Sequence, residues 1–344
     1  MVTENIVLFH RVFFIVVDAN IYQFNSTPRY ACGCLILALI FAFALASLPV
    51  DAFVDRDNYL RYASSAAEIF ARGFGEGPAY IVTNEPVWLL INVMLSFFCE
   101  DEDVVRMVVF ISSLLSAYLL LRVDSKFFFI LLLFLILPQV LKNYVVHLRQ
   151  GLAVAVFLLG WFSRGGAARN VLILLTPFIH ASFFFVVVIY YCSVVFALLR
   201  FSSGLRVALF ALAGGTAAFS ALWLASSLGA RQAEAYSQND LDISGLGFIY
   251  WSAIATVYFL QGKTFLKENS FQVGMLVFYL AVYFFLPVSG RIFESALILV
   301  LLSGLRLTSW RRALYYLLFC FYFIMQWLPR LSQPGFGWGV ENYI

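Results

Sequence analysis

The sequence predicts an all-α, polytopic integral membrane protein, and three observations carry the prediction. The 344 residues are 63% hydrophobic and only 12% charged, with a mean hydropathy of +0.90. Soluble domains run about 45–50% apolar and about 25% charged. Apolar runs reach the roughly 20 residues that a bilayer requires, as from Tyr30 to Val50. Basic residues also fall in alternate connections. If Arg29, Arg122/Lys126, Arg164/Arg169, Arg200/Arg206, Lys263/Lys267 and Arg306/Arg311/Arg312 are cytoplasmic, every other connection faces outward. The net charge of +3 is too small and dispersed for a nucleic-acid partner. Five cysteines without ligand-like clustering and three histidines exclude a zinc or histidine-rich centre.

Taken in order, the chain opens with Ile6–Val17, interrupted by His10 and Arg11, a first span or interfacial helix and not a cleaved signal. Tyr30–Val50 is a clear span. Residues 51–103 form an outer acidic segment with ten carboxylates against Arg56, Arg61 and Arg72. That placement requires 87–98 not to cross, and so short a run suits a re-entrant or interfacial helix. Val104–Leu121 is a span; Phe127–Leu141 runs outward, 142–150 lies at the outer face and 152–162 returns. Residues 170–199 are too long for one span and too short for two, with a break at Pro177 and His180. Val207–Leu228, Leu246–Gln261, Phe271–Leu286, Ile292–Leu305 and Ala313–Leu328 bring the count to roughly 10–11 spans. A polar loop at 229–245 and a tail from Pro329 lie outside. No repeat or soluble domain can be cut out, so 1–344 reads as a single transmembrane domain.

The stretch from Lys142 to Gly151 sits between two apolar runs and holds Lys142, His147 and Arg149 near membrane depth. An arginine there costs roughly 2.5–3.5 kcal/mol on insertion scales, which marks a pathway or an anionic ligand. Arg149 and Gln150 open a helix, where a planar guanidinium and free amides suit phosphate; a snorkelling interfacial arginine is the plainer alternative. Asp55, Asp57, Tyr59, Arg61 and Tyr62 alternate carboxylates, guanidinium and phenols as a sugar site does, or as an ion-paired helix start does. Glu85 before Pro86 is a helix-start acid, or else a base or hydroxyl binder. His180 is an interhelical hydrogen bond or an acid–base group at a helix break. Arg291 opens another outer helix, with an Arg291–Glu294 pair as the plain reading. There is no P-loop, nucleophile elbow or zinc signature. The nearest acidic pair, Asp55-Arg56-Asp57, lies outside, where a lipid-linked donor fits better than a nucleotide sugar.

Asp57, Tyr59 and Tyr62, then Glu85-Pro86, then Leu148-Arg149-Gln150-Gly151-Leu152-Ala153, then Phe178-Ile179-His180-Ala181-Ser182, then Arg291, together resemble the EpsG-like family of bacterial exopolysaccharide and O-antigen polymerases (Wzy-type) from about residue 30 to about residue 305. Arg56 inside the acidic motif and Ala181 after the histidine depart from the family pattern. The resemblance implies a periplasmic-side glycosyltransferase of the bacterial inner membrane, built like the lipid-donor (GT-C-like) enzymes. Its reaction would move a growing glycan from undecaprenyl pyrophosphate onto the non-reducing end of the next lipid-linked repeat unit. No metal or other cofactor is expected, and a flippase and a chain-length regulator would be its partners. On that reading Asp57, Glu85 and His180 are catalytic. Arg149, Arg291, His147 and Lys142 would meet the pyrophosphate, and Asp55, Tyr59, Arg61, Tyr62 and Gln150 the sugars. An O-antigen ligase and a lipid-linked oligosaccharide flippase are the competing readings.

Overall fold

The computed structural model describes residues 27–76, 84–228, 244–286 and 288–340. The expected segment at Ile6–Val17 and most of the polar loop at 229–245 lie outside them. Among the described residues all regular structure is helical, apart from an isolated antiparallel bridge between Phe53 and Gly339. The chain forms two compact units, Met1–Phe184 with Phe323–Ile344, and Phe185–Tyr322.

The first unit is packed as a membrane protein is. Helix α1 (Pro28–Ala46) buries Cys34, Ala38 and Ala42, one small residue per turn, while Leu35, Ile36, Ile40 and Phe43 stay exposed. Lipid tails accommodate large apolar side chains as well as a protein does, so small residues that allow close backbone approach decide helix contacts. Three further helices follow: α2 (Arg56–Glu76), α3 (Pro86–Ser96) and α4 (Asp101–Leu121). Helix α4 packs against α1 and buries Ser112, Ser113, Ser116 and Ala117. Ser112 and Ser113 donate to carbonyls of their own helix, at 2.7 Å to Val108 and 2.6 Å to Val109, so neither hydroxyl is stranded. At the far end of α4, the Tyr30 hydroxyl donates to the Leu121 carbonyl at 2.7 Å.

Helix α3 has 11 residues, about 16 Å at 1.5 Å per residue, roughly half a hydrocarbon core. It occupies the place of the expected re-entrant or interfacial helix at 87–98. The expected single run Phe127–Leu141 is instead two helices, α5 (Phe128–Leu135) and α6 (Pro138–Val145), with a 63° bend from the short turn ahead of α5 into α6. Pro138 has no N–H to continue the ladder, and it drives Leu137 into extended backbone (φ −62°, ψ 131°). Helix α7 (Leu148–Phe162) returns and packs on α4. Helix α8 (Gly166–Leu175) then ends in a 3-10 turn, Thr176–Phe178, before α9 (Phe183–Leu198), so the break falls where Pro177 and His180 placed it.

In the second unit run α10 (Ser203–Leu228), α11 (Leu246–Gln261), α12 (Lys263–Glu268), α13 (Ser270–Val282), α14 (Ser289–Glu294) and α15 (Leu297–Gly304). Most of α16 (Ser309–Trp327) completes it, and the last residues of that helix belong to the first unit. Helix α13 lies against α10, where Gly274 sits under the Phe210 ring; a Cβ there would stand 2.8 Å from a ring carbon. The expected span Ile292–Leu305 is divided between α14 and α15. Arg306 joins Glu268 at 2.6 Å and Asn269 at 3.0 Å.

Among the described residues, three helices are by length and composition apolar enough to cross a membrane, and up to four if the bent α5–α6 pair is one span. The expected 10–11 crossings therefore depend on counting shorter apolar helices of 10–17 residues as well, a set of six that includes α3. The α1 stripe supplies a test. Ala38→Leu forces a branched side chain into a fully buried contact and is expected to cost about 1–3 kcal/mol by overpacking. In a thermal-unfolding series in detergent, Leu39→Ala on the exposed face should stay within about 0.5 kcal/mol of wild type.

Candidate functional site

The site is assembled around Glu85. This residue caps the N-terminus of α3 with left-handed backbone (φ 54°, ψ 55°), although it is neither glycine nor asparagine and Pro86 follows it. Such a conformation costs of order 1–3 kcal/mol and persists only where the surroundings over-determine it. The side chain makes no capping bond to its own helix. Its Oε2 accepts from Arg149 Nη1, while Oε1 lies 2.9 Å from His180 Nδ1 and accepts the Ala181 N–H at 3.0 Å. Two distant stretches thus converge on one carboxylate that is 8% exposed.

Glu85 stands just outside α3, at its N-cap. Burial works against the charge. The His180 hydrogen bond, the Arg149 and His180 charges and the Ala181 amide outweigh burial and hold the carboxyl below the usual carboxylate range. An ionised carboxylate only accepts hydrogen bonds, so Nδ1 of His180 carries the proton in this contact. In the neutral ring Nε2 then keeps its lone pair.

Arg149 reaches Glu85 from the first turn of α7. Its guanidinium lies 5.3 Å from the centre of the Tyr62 ring, a cation–π contact that orients the fork, and Tyr59 hydrogen-bonds to it as well. Tyr59 and Tyr62, one helical turn apart on α2, meet Trp88 edge-on at 5.8 and 6.1 Å. Trp88 is 1% exposed and fixes α2 against α3. Gly151 explains why the Arg-Gln pair is followed by glycine. A Cβ at 151 would stand 2.1 Å from the Asn143 carbonyl oxygen, so only glycine lets α7 start this close to α6.

Beside this cluster lies a cavity of about 480 Å³, within the usual range for small-ligand sites. Asn58, Arg61, Tyr62, Asn84 and Arg149 form its polar wall, and Ile69, Phe70 and Leu89 an apolar one. Among the described residues no group of three or more His, Cys, Asp or Glu side chains is placed to hold a metal ion.

The other expected residues distribute as follows. Asp57 is exposed near the start of α2, and Arg61 is exposed at the cavity. Asp55, with left-handed backbone, reaches within 3.8 Å of His147 Nδ1. Lys142 is half-buried and Gln150 buried. Arg291 belongs to the second unit, exposed on α14. Arg56 is 3% exposed and donates from Nε to the Val145 carbonyl at 2.9 Å; burial pushes its guanidinium down to about 10. Asn58, Asn84 and Trp88 enter the site without having been assigned roles. Their signal was adjacency: Asn58 follows Asp57, Asn84 precedes Glu85, and Trp88 lies one turn beyond it.

A helical membrane protein with a Glu–Arg–His cluster, its carboxylate buried, beside a partly polar cavity is the class that these features define. The sequence matches the EpsG family over residues 29–338, most of the chain, and the protein belongs to that family. Membership supports an enzyme of polymerase type in exopolysaccharide or O-antigen assembly. No curated protein and no solved structure matches the chain.

The carboxylate carries a pH prediction. A carboxyl depressed in the folded state contributes stability that is present above its unfolded value of about 4.3 and is lost as pH falls through the folded value. Melting temperature should therefore fall on acidification below about pH 4 in wild type. Glu85→Gln should remove that part of the slope and cost about 1–3 kcal/mol at neutral pH, less than for a sealed pair because Arg149 is partly exposed. Parallel melting curves for the two proteins across that range would overturn the assignment.

Proposed function

We propose that the chain is the polymerase of a bacterial polysaccharide, O-antigen, capsule or exopolysaccharide. It transfers a growing glycan from undecaprenyl pyrophosphate to the non-reducing end of a lipid-linked repeat unit, at the periplasmic face of the inner membrane. The observation that carries this reading is one carboxylate, Glu85, holding Arg149 and His180 beside a cavity that Arg61 also lines. Glycosyl transfer from a pyrophosphate has two requirements that such a set meets. The acceptor hydroxyl must lose a proton, and the leaving group must be compensated as its charge develops.

Arg149 supplies the compensation, its fork held by Glu85 and the Tyr62 ring so that little reorganisation accompanies bond breaking. Glu85 already receives three donors and is held below the ordinary carboxylate range, which makes it a weak base. Its part is to orient His180. The free Nε2 of that ring takes the acceptor proton, with Asp57 as the remaining carboxylate candidate. Tyr59, Arg61, Tyr62, Asp55 and Gln150 keep their proposed roles toward sugar, and Lys142, His147 and Arg291 toward phosphate. The apolar wall of Ile69, Phe70 and Leu89 suits a donor or acceptor carried on lipid. Charge compensation by guanidinium groups makes the proposed reaction independent of a metal.

The experiment is the glycan ladder of a host lacking this gene, complemented with variants. Products should stop at one repeat unit and be restored by the wild-type gene. Arg149→Lys keeps the charge and loses the fork, and should lower polymerisation about 10²-fold. His180→Gln should abolish it. Full activity of Arg149→Lys would sink the bidentate role, and an unchanged ladder in the deletion strain would overturn the reading. Lipid-linked repeats accumulating inside, without any glycan product, would identify a flippase. Polymer that forms but never reaches its final acceptor would identify a ligase.

A further inference from the structure

The residues from Leu328 to Val340 return to the segment that launches α2. Val54 donates its N–H to the Trp338 carbonyl at 2.9 Å, and Val340 donates to the Ala52 carbonyl at 3.0 Å. These bonds flank the antiparallel bridge between Phe53 and Gly339. Trp338 is 6% exposed and closes an apolar cluster with Phe53, Leu141, Val145 and Val146. Its indole is braced from two sides. The Arg330 guanidinium lies 5.4 Å from its ring centre. Trp327 meets it at 6.5 Å and is itself tied by Nε1 to the Ile136 carbonyl at 3.0 Å.

Two strips that carry the candidate site meet in this cluster. Phe53 lies three residues before Arg56, where α2 begins, and that helix brings Asn58, Arg61 and Tyr62 to the cavity. Val145 and Val146 end α6, and α7 starts two residues later with Leu148 and Arg149. Arg56 stitches the strips together through its bond to the Val145 carbonyl, and Asp55 adds its contact with His147. Helices transmit displacement along their length, so a shift of Phe53 or Val145 becomes a shift of Tyr62 relative to Arg149.

We infer that residues 328–340 form a clasp that holds the start of α2 and the α6–α7 junction in register, with Trp338 as a positioning residue for the Arg149–Tyr62 pair. Trp338 touches no reacting group; it acts through the two strips that it grips. The effect on turnover rests on the polymerase reading given above, whereas the effect on the two strips does not.

The test uses the full chain in lipid nanodiscs and compares wild type, Trp338→Ala, Trp338→Phe and Trp310→Ala. Trp310 is an exposed tryptophan of the second unit, 53% accessible, and serves as the control. Hydrogen exchange is read by mass spectrometry over 52–62 and 141–151, and turnover on lipid-linked repeat units as kcat and KM. Trp338→Ala should speed exchange in both strips while α4 and α10 keep their protection. It should lower kcat about tenfold, as a small misplacement of a reacting constellation does. Trp338→Phe should recover most of both effects, and Trp310→Ala should show neither. Unchanged exchange in either strip would overturn the clasp, as would exchange that rises evenly along the chain. Faster exchange in both strips with unchanged kcat would overturn the positioning role. If wild type proves inactive on these substrates while exchange still rises in the two strips, the polymerase reading falls and the clasp stands.

Discussion

A carboxylate in a poorly solvated place must be met by donors, and the arrangement around Glu85 follows from that requirement. Its two oxygens receive a guanidinium, an imidazole and a backbone amide drawn from α7 and from the break before α9. The donors come from two separate parts of the fold, so the pocket cannot be half-built without leaving a buried charge unmatched. The left-handed backbone of Glu85 fits the same logic. A residue before proline prefers extended backbone, and this one departs from it because the side-chain contacts aim the carboxylate away from its own helix. The conformation and the ionic contacts support one another, and neither would persist alone.

The cluster also sets the local charge. Glu85 and Arg149 neutralise each other to first order, and a His180 that donates through Nδ1 adds no net charge while neutral. Arg61, exposed in the cavity lining, is a further cation there. On the proposed reaction such a cation matters, because the pyrophosphate must be stabilised more as it leaves than when it arrives.

Much of this was readable from the residues, for physical reasons that also define what was not. Helices α1 and α4 declare themselves by apolar runs of bilayer length, and α3 by a shorter apolar run after Pro86. The break near His180 is signalled by Pro177. The division of the 127–141 run at Pro138 and of the 292–305 run after Glu294 is hidden, because the sequence stays apolar through both bends and hydropathy does not report direction. Within the site, Arg149, Glu85 and His180 each stand out as ionisable groups in apolar surroundings. Their union across 64 and 95 residues of sequence does not, since a lone sequence carries no pairing information. Trp88 and Gly151 illustrate the remaining gap. An aromatic residue and a glycine in apolar runs look like packing, and packing is what they do, yet Trp88 holds both tyrosines and Gly151 sets how close Arg149 comes.

The same packing logic explains why a distant segment bears on the site at all. A helix that crosses a bilayer is held in place by lipid along its length, whereas α2 is amphipathic and is not among the helices apolar enough to cross. It is seated by a narrow face that includes Tyr59, Ala63 and Ala66, two of them small, against α3 and α4. Small residues permit close approach but bury little area, at about 25 cal/mol per Å², so that face alone orients the helix weakly. The backbone bridge at Phe53 and the Trp338 cluster supply the missing restraint at the N-terminal end, where a small rotation moves Tyr62 most directly against Arg149. A chain that places charged chemistry on an amphipathic helix with a narrow packing face must restrain that helix by other means, and here the return of residues 328–340 provides one.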